Sequence, residues 1–204
     1  ANTDYVVFKL APGDYVGTIS VVQSTPNQSF AIEGSGKDSC FIRGSTGAFD
    51  ATVGNVLYFR DFENITVKDV TIMNGAYGLY TRTATSVTLV NCRFQFLGTS
   101  GVGHDFSTTD AQQTAYWNAR GTAGAQRSDG GAMRIRGCSN VRIQGCEVYA
   151  TLRGYRIQDC SQGQITNCSA SWCLESAYYL ASGSYTGDTN YGCTNFQITG
   201  CKAT

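Results

Sequence analysis

The chain is poor in charge, in histidine and in long apolar runs. Only 15% of its 204 residues are charged, 15 basic against 15 acidic, and they are scattered rather than clustered. A nucleic-acid-binding domain would carry a basic stripe, so nucleic acid is not an expected partner. The longest apolar stretches, "YVVF" and "VLYF", fall far short of the ~20 residues needed to cross a bilayer as a helix. No membrane span is expected. The opening "ANTDYVVFKLAPGDY" has neither a basic region nor a long apolar core, so no secretory leader is expected there. Prolines number only two, and no helix-length window shows an apolar period of 3.6 residues.

What the chain does have is 24 glycines, many Thr, Ser and Asn, and frequent β-branched residues, a composition for strands and tight turns. It also repeats. Aligning Val70, Cys92, Cys146, Cys168 and Cys201 gives intervals of 22, 54, 22 and 33. Eight residues earlier stand Phe62, Ala84, Cys138, Cys160 and Cys193. Between these columns lies an apolar one, Val67, Leu89, Ile143, Ile165 and Ile198. Two residues on come Asp69, Asn91, Gly145, Asn167 and Gly200, all tolerant of a left-handed backbone. Asn64, Ser86, Asn140 and Asn195 form a second polar turn column. A 22-residue unit of short strands and left-handed corners is one coil of a parallel β-helix, in which each column stacks on its copy at the ~4.8 Å strand spacing.

The nine cysteines then have three readings. Zinc ligands stand two to four apart and close a tetrahedron, which cysteines eight apart across a strand do not. Disulfides are possible in principle, but nine is odd and the spacing follows the coil period. Replacement of Val, Phe or Ala in their columns marks the cysteines as small core residues, reduced and stacked. Calcium would need an acidic cluster, and none is evident. No metal and no cofactor are expected.

The N-terminal third follows the same plan in a looser register: "LAPGDYVGTISV", then "AIEGSGKDSCFIRGS". These phrases resemble the opening coils of right-handed parallel β-helix proteins of the pectin-lyase-like superfamily, which includes pectate lyases, polygalacturonases, alginate epimerases and phage tailspikes. The resemblance covers nearly the whole chain and is one of fold. It implies a single all-β domain over 1–204, a right-handed solenoid. The helix that usually caps such solenoids is missing and the chain stops within the strand motif "ITGCKAT", so the expectation is a fragment, or a domain whose ends are covered within a larger assembly.

Two insertions break the period. Cys92 and Cys138 are 46 apart where the repeat predicts 14, an excess centred on residues 98–130; Cys168 and Cys193 are 25 apart, an excess around 182–192. The first precedes a strand starting near Ala132 and the second follows a strand ending near Ala181, so both border one sheet. Insertions in solenoids gather on the working face. On that sheet Tyr58, Tyr80, Arg134, Arg156 and Tyr179 share a column, with Arg60, Arg82, Arg136 and Gln158 two residues on. Alternation turns both columns outward and Phe59, Ile135 and Ile157 inward.

Aromatic rings stack on the apolar faces of sugars, and arginines grip carboxylates or hydroxyls in a fork. A polysaccharide is therefore the expected ligand, held by Tyr80, Arg82, Arg136, Tyr179, Trp117 and Glu175. An ordinary solvated face is the competing reading of the same row. Hydrolysis would need two carboxyls, for which Asp105 and Asp129 stand in the first insertion. A lyase would need a base beside a uronate and a cation for the enolate, roles open to His104 and to Arg134 or Arg156. "GHDF" is similar to histidine segments of polygalacturonases and alginate epimerases but lacks their flanking acidic pattern, so no catalytic residue is carried over from them. The functional expectation is a tailspike- or lyase-type protein outside a cell or on a virion, trimeric or part of a larger assembly. The rival expectation is a structural solenoid, a virion fibre segment or adhesin. Unpaired cysteines suit a chain that folds in a reducing cytosol and is assembled afterwards.

Overall fold

The computed structural model describes residues 5–23, 28–45, 54–98, 130–181 and 192–204, the side chains at 174 and 175 excepted. Among these residues are sixteen strands and no helix, and the ladders are parallel. Strands pair with chain segments one coil away, so the chain winds as a three-faced parallel β-helix.

Face one comprises β3 (Ile19–Val22), the N-terminal halves of β6 (Asn55–Lys68) and β8 (Tyr77–Val90), β10 (Gly131–Arg136), and the C-terminal halves of β12 (Glu147–Gln158) and β14 (Ser169–Ala181). Face two comprises β1 (Tyr5–Lys9), β4 (Ser29–Glu33), the C-terminal halves of β6 and β8, β11 (Asn140–Gln144), β13 (Gly163–Thr166) and β15 (Phe196–Thr199). Face three comprises β2 (Gly13–Val16), β5 (Cys40–Arg43), β7 (Thr71–Gly75), β9 (Arg93–Leu97), the N-terminal halves of β12 and β14, and β16 (Lys202–Ala203).

The expected columns are the observed ones. Val67 pairs with Leu89, Leu89 with Ile143, Ile143 with Ile165 and Ile165 with Ile198. In the N-terminal third the ladder continues through Phe8, Ile32 and Val67. A bulge between Thr151 and Arg153 shifts the register of β12 against β14 by one residue, so Arg156 pairs with Tyr179 rather than Tyr178.

The corners explain why the chain turns where it does. Asp69, Asn91, Gly145, Asn167 and Gly200 all have φ between 50° and 65°. Asn91 Nδ2 donates to Asp69 Oδ1 at 2.6 Å, one coil tied to the next through the corner. Two further left-handed columns lie at the other corners: Asp61, Thr83, Gly137 and Asp159, and Asn74, Phe96, Ala150 and Trp172, with φ between 49° and 64°. Each coil therefore has three sharp bends, and the space they enclose is filled by Phe59, Phe62, Phe94, Leu57, Leu79, Ile72 and Ile135.

All nine cysteines are free; six are buried and three, Cys173, Cys193 and Cys201, are half-buried. Their thiols are used. Cys92 Sγ donates to Val67 O at 3.4 Å and Cys201 Sγ to Ile165 O at 3.4 Å, each reaching the coil below, and Cys146 N donates to Cys168 Sγ at 3.4 Å. The column that begins at Phe62 and the one that begins at Val70 thus continue upward as sulfur ladders.

On face three an ion-pair cluster crosses several coils. Glu147 accepts from Lys37 and, at 2.8 Å, from Arg93, which also reaches Asp38 at 2.7 Å. Burial works to raise the Glu147 pKa, but the hydrogen bonds from Lys37 and Arg93 outweigh it, and the carboxyl is held below its ordinary range.

Protein purified from a reducing cytosol, denatured without reductant, should titrate close to nine thiols, whereas one or none would contradict the sulfur ladders. Cys146→Ser should destabilise by about 1–3 kcal/mol through a hydroxyl placed in an apolar column, with Cys146→Val milder, as read by denaturant unfolding. For Glu147 the folded pKa lies below the unfolded one. Its contribution is therefore complete above the ordinary carboxylate range and lost as pH falls through the folded value. Glu147→Gln should remove part of the acid-side decline in Tm while lowering Tm at neutral pH.

Candidate functional site

Outward residues of face one stack in register. Tyr58 pairs with Tyr80, Tyr80 with Arg134, Arg134 with Arg156 and Arg156 with Tyr179. Tyr58 and Tyr80 meet edge to face at 5.4 Å, and Tyr77 meets Tyr80 at 5.7 Å. The Arg134 guanidinium lies 5.2 Å over the Tyr80 ring, and that of Arg156 lies 5.7 Å over the Tyr179 ring. Arg134 Nε donates to Gln158 Oε1 at 3.0 Å, and Arg156 Nη1 to Tyr77 Oη at 3.1 Å. The two arginines are held one strand apart, so their like charges repel. Each leans on an aromatic face, Arg134 toward the coil below and Arg156 toward the coil above.

The second outward column differs from its expectation in one respect. Arg82 is half-buried, but Arg136 is only 6% exposed and forms an ion pair with Asp159 at 3.4 Å. Gln158 beside it is also buried. Alternation correctly keeps both out of the apolar core, yet it says nothing of how neighbours shade them from water. Arg136 serves the corner formed with Asp159, and as a ligand contact it is the weakest member of the row. Arg60 pairs with Asp61 in the same way at an earlier turn of the same corner.

Of the other residues read from the sequence, His104, Asp105, Trp117 and Asp129 lie outside the described residues, as does the side chain of Glu175, whose backbone belongs to β14. The ends of both insertions are described, and they border face one. Gly130 leads directly into β10, and β14 ends at Ala181. Tyr179, 43% exposed, is the most open aromatic of the row.

Beneath the row the inward phenols do a different job. Tyr155 Oη donates within reach of both Cys146 O (2.8 Å) and Ser169 O (3.0 Å), and Tyr178 Oη likewise reaches Cys168 O and Lys202 O. The two rings stack in parallel at 4.8 Å. Burial drives both phenol pKa values up, so neither is a proton carrier at neutral pH. Among the described residues no group of three or more His, Cys, Asp and Glu side chains is arranged to hold a metal ion.

Three features were missed by pattern reading. Tyr77 is buried at the entry to β8, three residues before Tyr80, where no column position announces it. A second surface, a cleft of about 460 Å³ on face two, is lined by Thr88, Asn140, Arg142, Gln164, Asn195 and Gln197. The Thr88, Arg142, Gln164 and Gln197 column could have been read from the repeat, since it sits one residue before the Leu89 column. Third, Tyr149 and Trp172 stand exposed near the corner between faces three and one, and Phe96 meets Tyr149 at 6.0 Å.

The chain belongs to the right-handed β-helix family: the family model described as a right handed beta helix region matches residues 30–204. No curated protein gives a match.

Tyr155→Phe should destabilise by about 1–2 kcal/mol, because two buried carbonyls lose their shared donor. It should leave the surface row, and any ligand binding there, unchanged; unfolding and binding isotherms measured on the same variant separate the two.

Proposed function

We propose that this right-handed β-helix binds an acidic polysaccharide along the tyrosine–arginine row of face one, as a protein of pectin-lyase-like, tailspike type working outside a cell or on a virion surface. The observation that carries the reading is the in-register pair Arg134–Arg156, bracketed by Tyr80 and Tyr179. Two cations held at strand spacing repel one another, and an anion bridging them relieves that repulsion, while the flanking rings offer stacking faces to the adjoining sugars. The row runs along the solenoid axis, the direction in which an extended polymer would lie.

Where the bound polymer is also cut, the first insertion supplies Asp105, Asp129 and His104 as acid or base candidates, and Arg134 or Arg156 stabilises the charge that develops on a uronate. Tyr80, Arg82, Tyr179, Trp117 and Glu175 are then the holding residues, with Arg136 supporting the corner beside them. A second reading is favoured by one observation: Arg134 and Arg156 are half-buried and already engaged across coils. On that reading the row is a staple between coils, and the chain is a segment of a fibre or adhesin that assembles as a trimer or larger array.

A screen of acidic and neutral glycans, scored for binding, reducing ends and unsaturated products, decides between them. Tyr179→Ala should weaken binding of the responding acidic glycan by about 1 kcal/mol with little change in Tm. Arg156→Ala should weaken it by about 1–3 kcal/mol and also lower Tm modestly, since its contact with Tyr77 is lost. A well-folded oligomer that ignores every glycan would leave the structural solenoid standing.

A further inference from the structure

The geometry points to a second ligand site, on face two: a cleft running from β8 to β15 takes a short neutral oligosaccharide through hydrogen bonds alone. It is separate from the tyrosine–arginine row of face one and does not depend on it.

The cleft holds about 460 Å³ and is lined by Thr88, Asn140, Arg142, Gln164, Asn195 and Gln197. That volume falls within the roughly 300–1,000 Å³ of sites that take small ligands. Thr88 pairs with Arg142, Arg142 with Gln164 and Gln164 with Gln197, so the lining advances one residue per coil. Earlier in the same column stand Ala31 and Thr66. The column thus passes from short side chains to long hydrogen-bonding ones between β8 and β11, and the cleft lies at that change. Its side chains point away from the solenoid axis, so stacking along the axis leaves them open.

Elsewhere in the solenoid asparagines are consumed by the ladder: Asn91 donates to Asp69 and Asn64 to Ser29. Around the cleft the amides are not consumed. Among the described residues, the side chains of Asn140, Gln164, Asn195 and Gln197 form no hydrogen bond within the protein, and all four residues are exposed. Arg142 Nη2 donates to Gln144 Oε1 at 2.9 Å, which ties the guanidinium to its own strand.

The lining selects the ligand. Among the described lining residues none is aromatic and Arg142 alone is charged, so recognition rests on hydrogen bonds rather than on ring stacking or ion pairing. An amide offers both donors and an acceptor, and a hydroxyl both gives and accepts, so the two match in either sense. A carboxylate only accepts, and against four amides it leaves their oxygens without donors. Arg142 adds donors for hydroxyl and ring oxygens. Elsewhere on this face Glu33 and Lys68 bond one another at 2.9 Å and contribute no net charge. A ligand dense in hydroxyls and free of charge satisfies these groups together, and a neutral oligosaccharide has that chemistry.

The test titrates the intact, isotope-labelled chain in turn with maltotetraose, cellotetraose, mannotetraose and tetragalacturonate, following the side-chain amide signals of Asn140, Gln164, Asn195 and Gln197 by NMR. At least one neutral tetramer should shift all four signals, saturably, with a Kd of about 10 mM or tighter. The main-chain amides of Tyr80 and Tyr179 should not move with it. Affinity should stay constant as ionic strength rises from about 0.05 M to about 0.5 M, because no charge pair is made. Gln164→Glu keeps the shape and removes the donors; it and Gln164→Ala should each weaken binding about five- to tenfold at unchanged Tm. Tyr179→Ala should bind the neutral tetramer as the parent chain does. The proposal is overturned if no neutral tetramer moves the four signals, or if tetragalacturonate moves them at equal or lower concentration. It is also overturned if both Gln164 variants, natively folded by circular dichroism, bind the neutral tetramer with undiminished affinity.

Discussion

Everything in this molecule follows from in-register stacking at one strand spacing. A parallel ladder fixes each residue over its copy from the neighbouring coil, so a side chain's principal neighbour is whatever occupies the same column one coil away. Apolar columns become continuous cores, Val67 through Ile198 being the clearest. Polar columns must find bonds along the axis, as Asn91 does on Asp69 and Asn64 on Ser29. Cysteine columns become sulfur ladders whose thiols donate to carbonyls of the adjoining coil.

The same rule forces like charges together, and the way the chain handles this gives face one its chemical character. Arg134 and Arg156 are stacked directly, and both turn their guanidinium groups onto tyrosine rings. The corner columns solve the problem differently: Arg60 and Arg136 sit beside acidic residues in left-handed turns, Asp61 and Asp159, and are neutralised there. The sheet therefore keeps its cationic character in its middle and offsets only part of it at its edge, where Arg82 is followed by Thr83 rather than an acid. The inward residues, Tyr155 and Tyr178, use their hydroxyls to bond main-chain carbonyls, which leaves the outer row as the chemically available surface.

Column identities were legible because period is a counting problem, and the left-handed corner at Asp69, Asn91, Gly145, Asn167 and Gly200 was legible because those residue types tolerate such a backbone. At the other two corners the signal was broken: Asp61, Gly137, Asp159 and Asn74 carry it, but their column mates do not. Thr83, Phe96, Ala150 and Trp172 adopt the same left-handed geometry without any compositional sign of it, because stacking on a coil that already turns there overrides local preference. Outward direction was readable from alternation, but exposure was not. Arg60 and Arg136 both pair in register with Arg82, yet Arg60 is exposed and Arg136 is buried, and only packing decides that. The places where the period breaks were readable too. Tyr77, whose hydroxyl meets Arg156 across two coils, belongs to no repeat and left no trace in the pattern.

A stack of coils that touch only their neighbours melts in pieces, since stability is then a chain of local terms. The Lys37–Glu147–Arg93 cluster is an exception to that locality. Lys37 and Glu147 are 110 residues apart, and β7 and β9 lie between their coils. The coils preceding residue 99 and those following residue 129 thus share a contact that skips the nearest neighbour. Such a tie couples rungs that stacking alone would let open separately, so the coils carrying β5, β7, β9 and β12 loosen together rather than one by one.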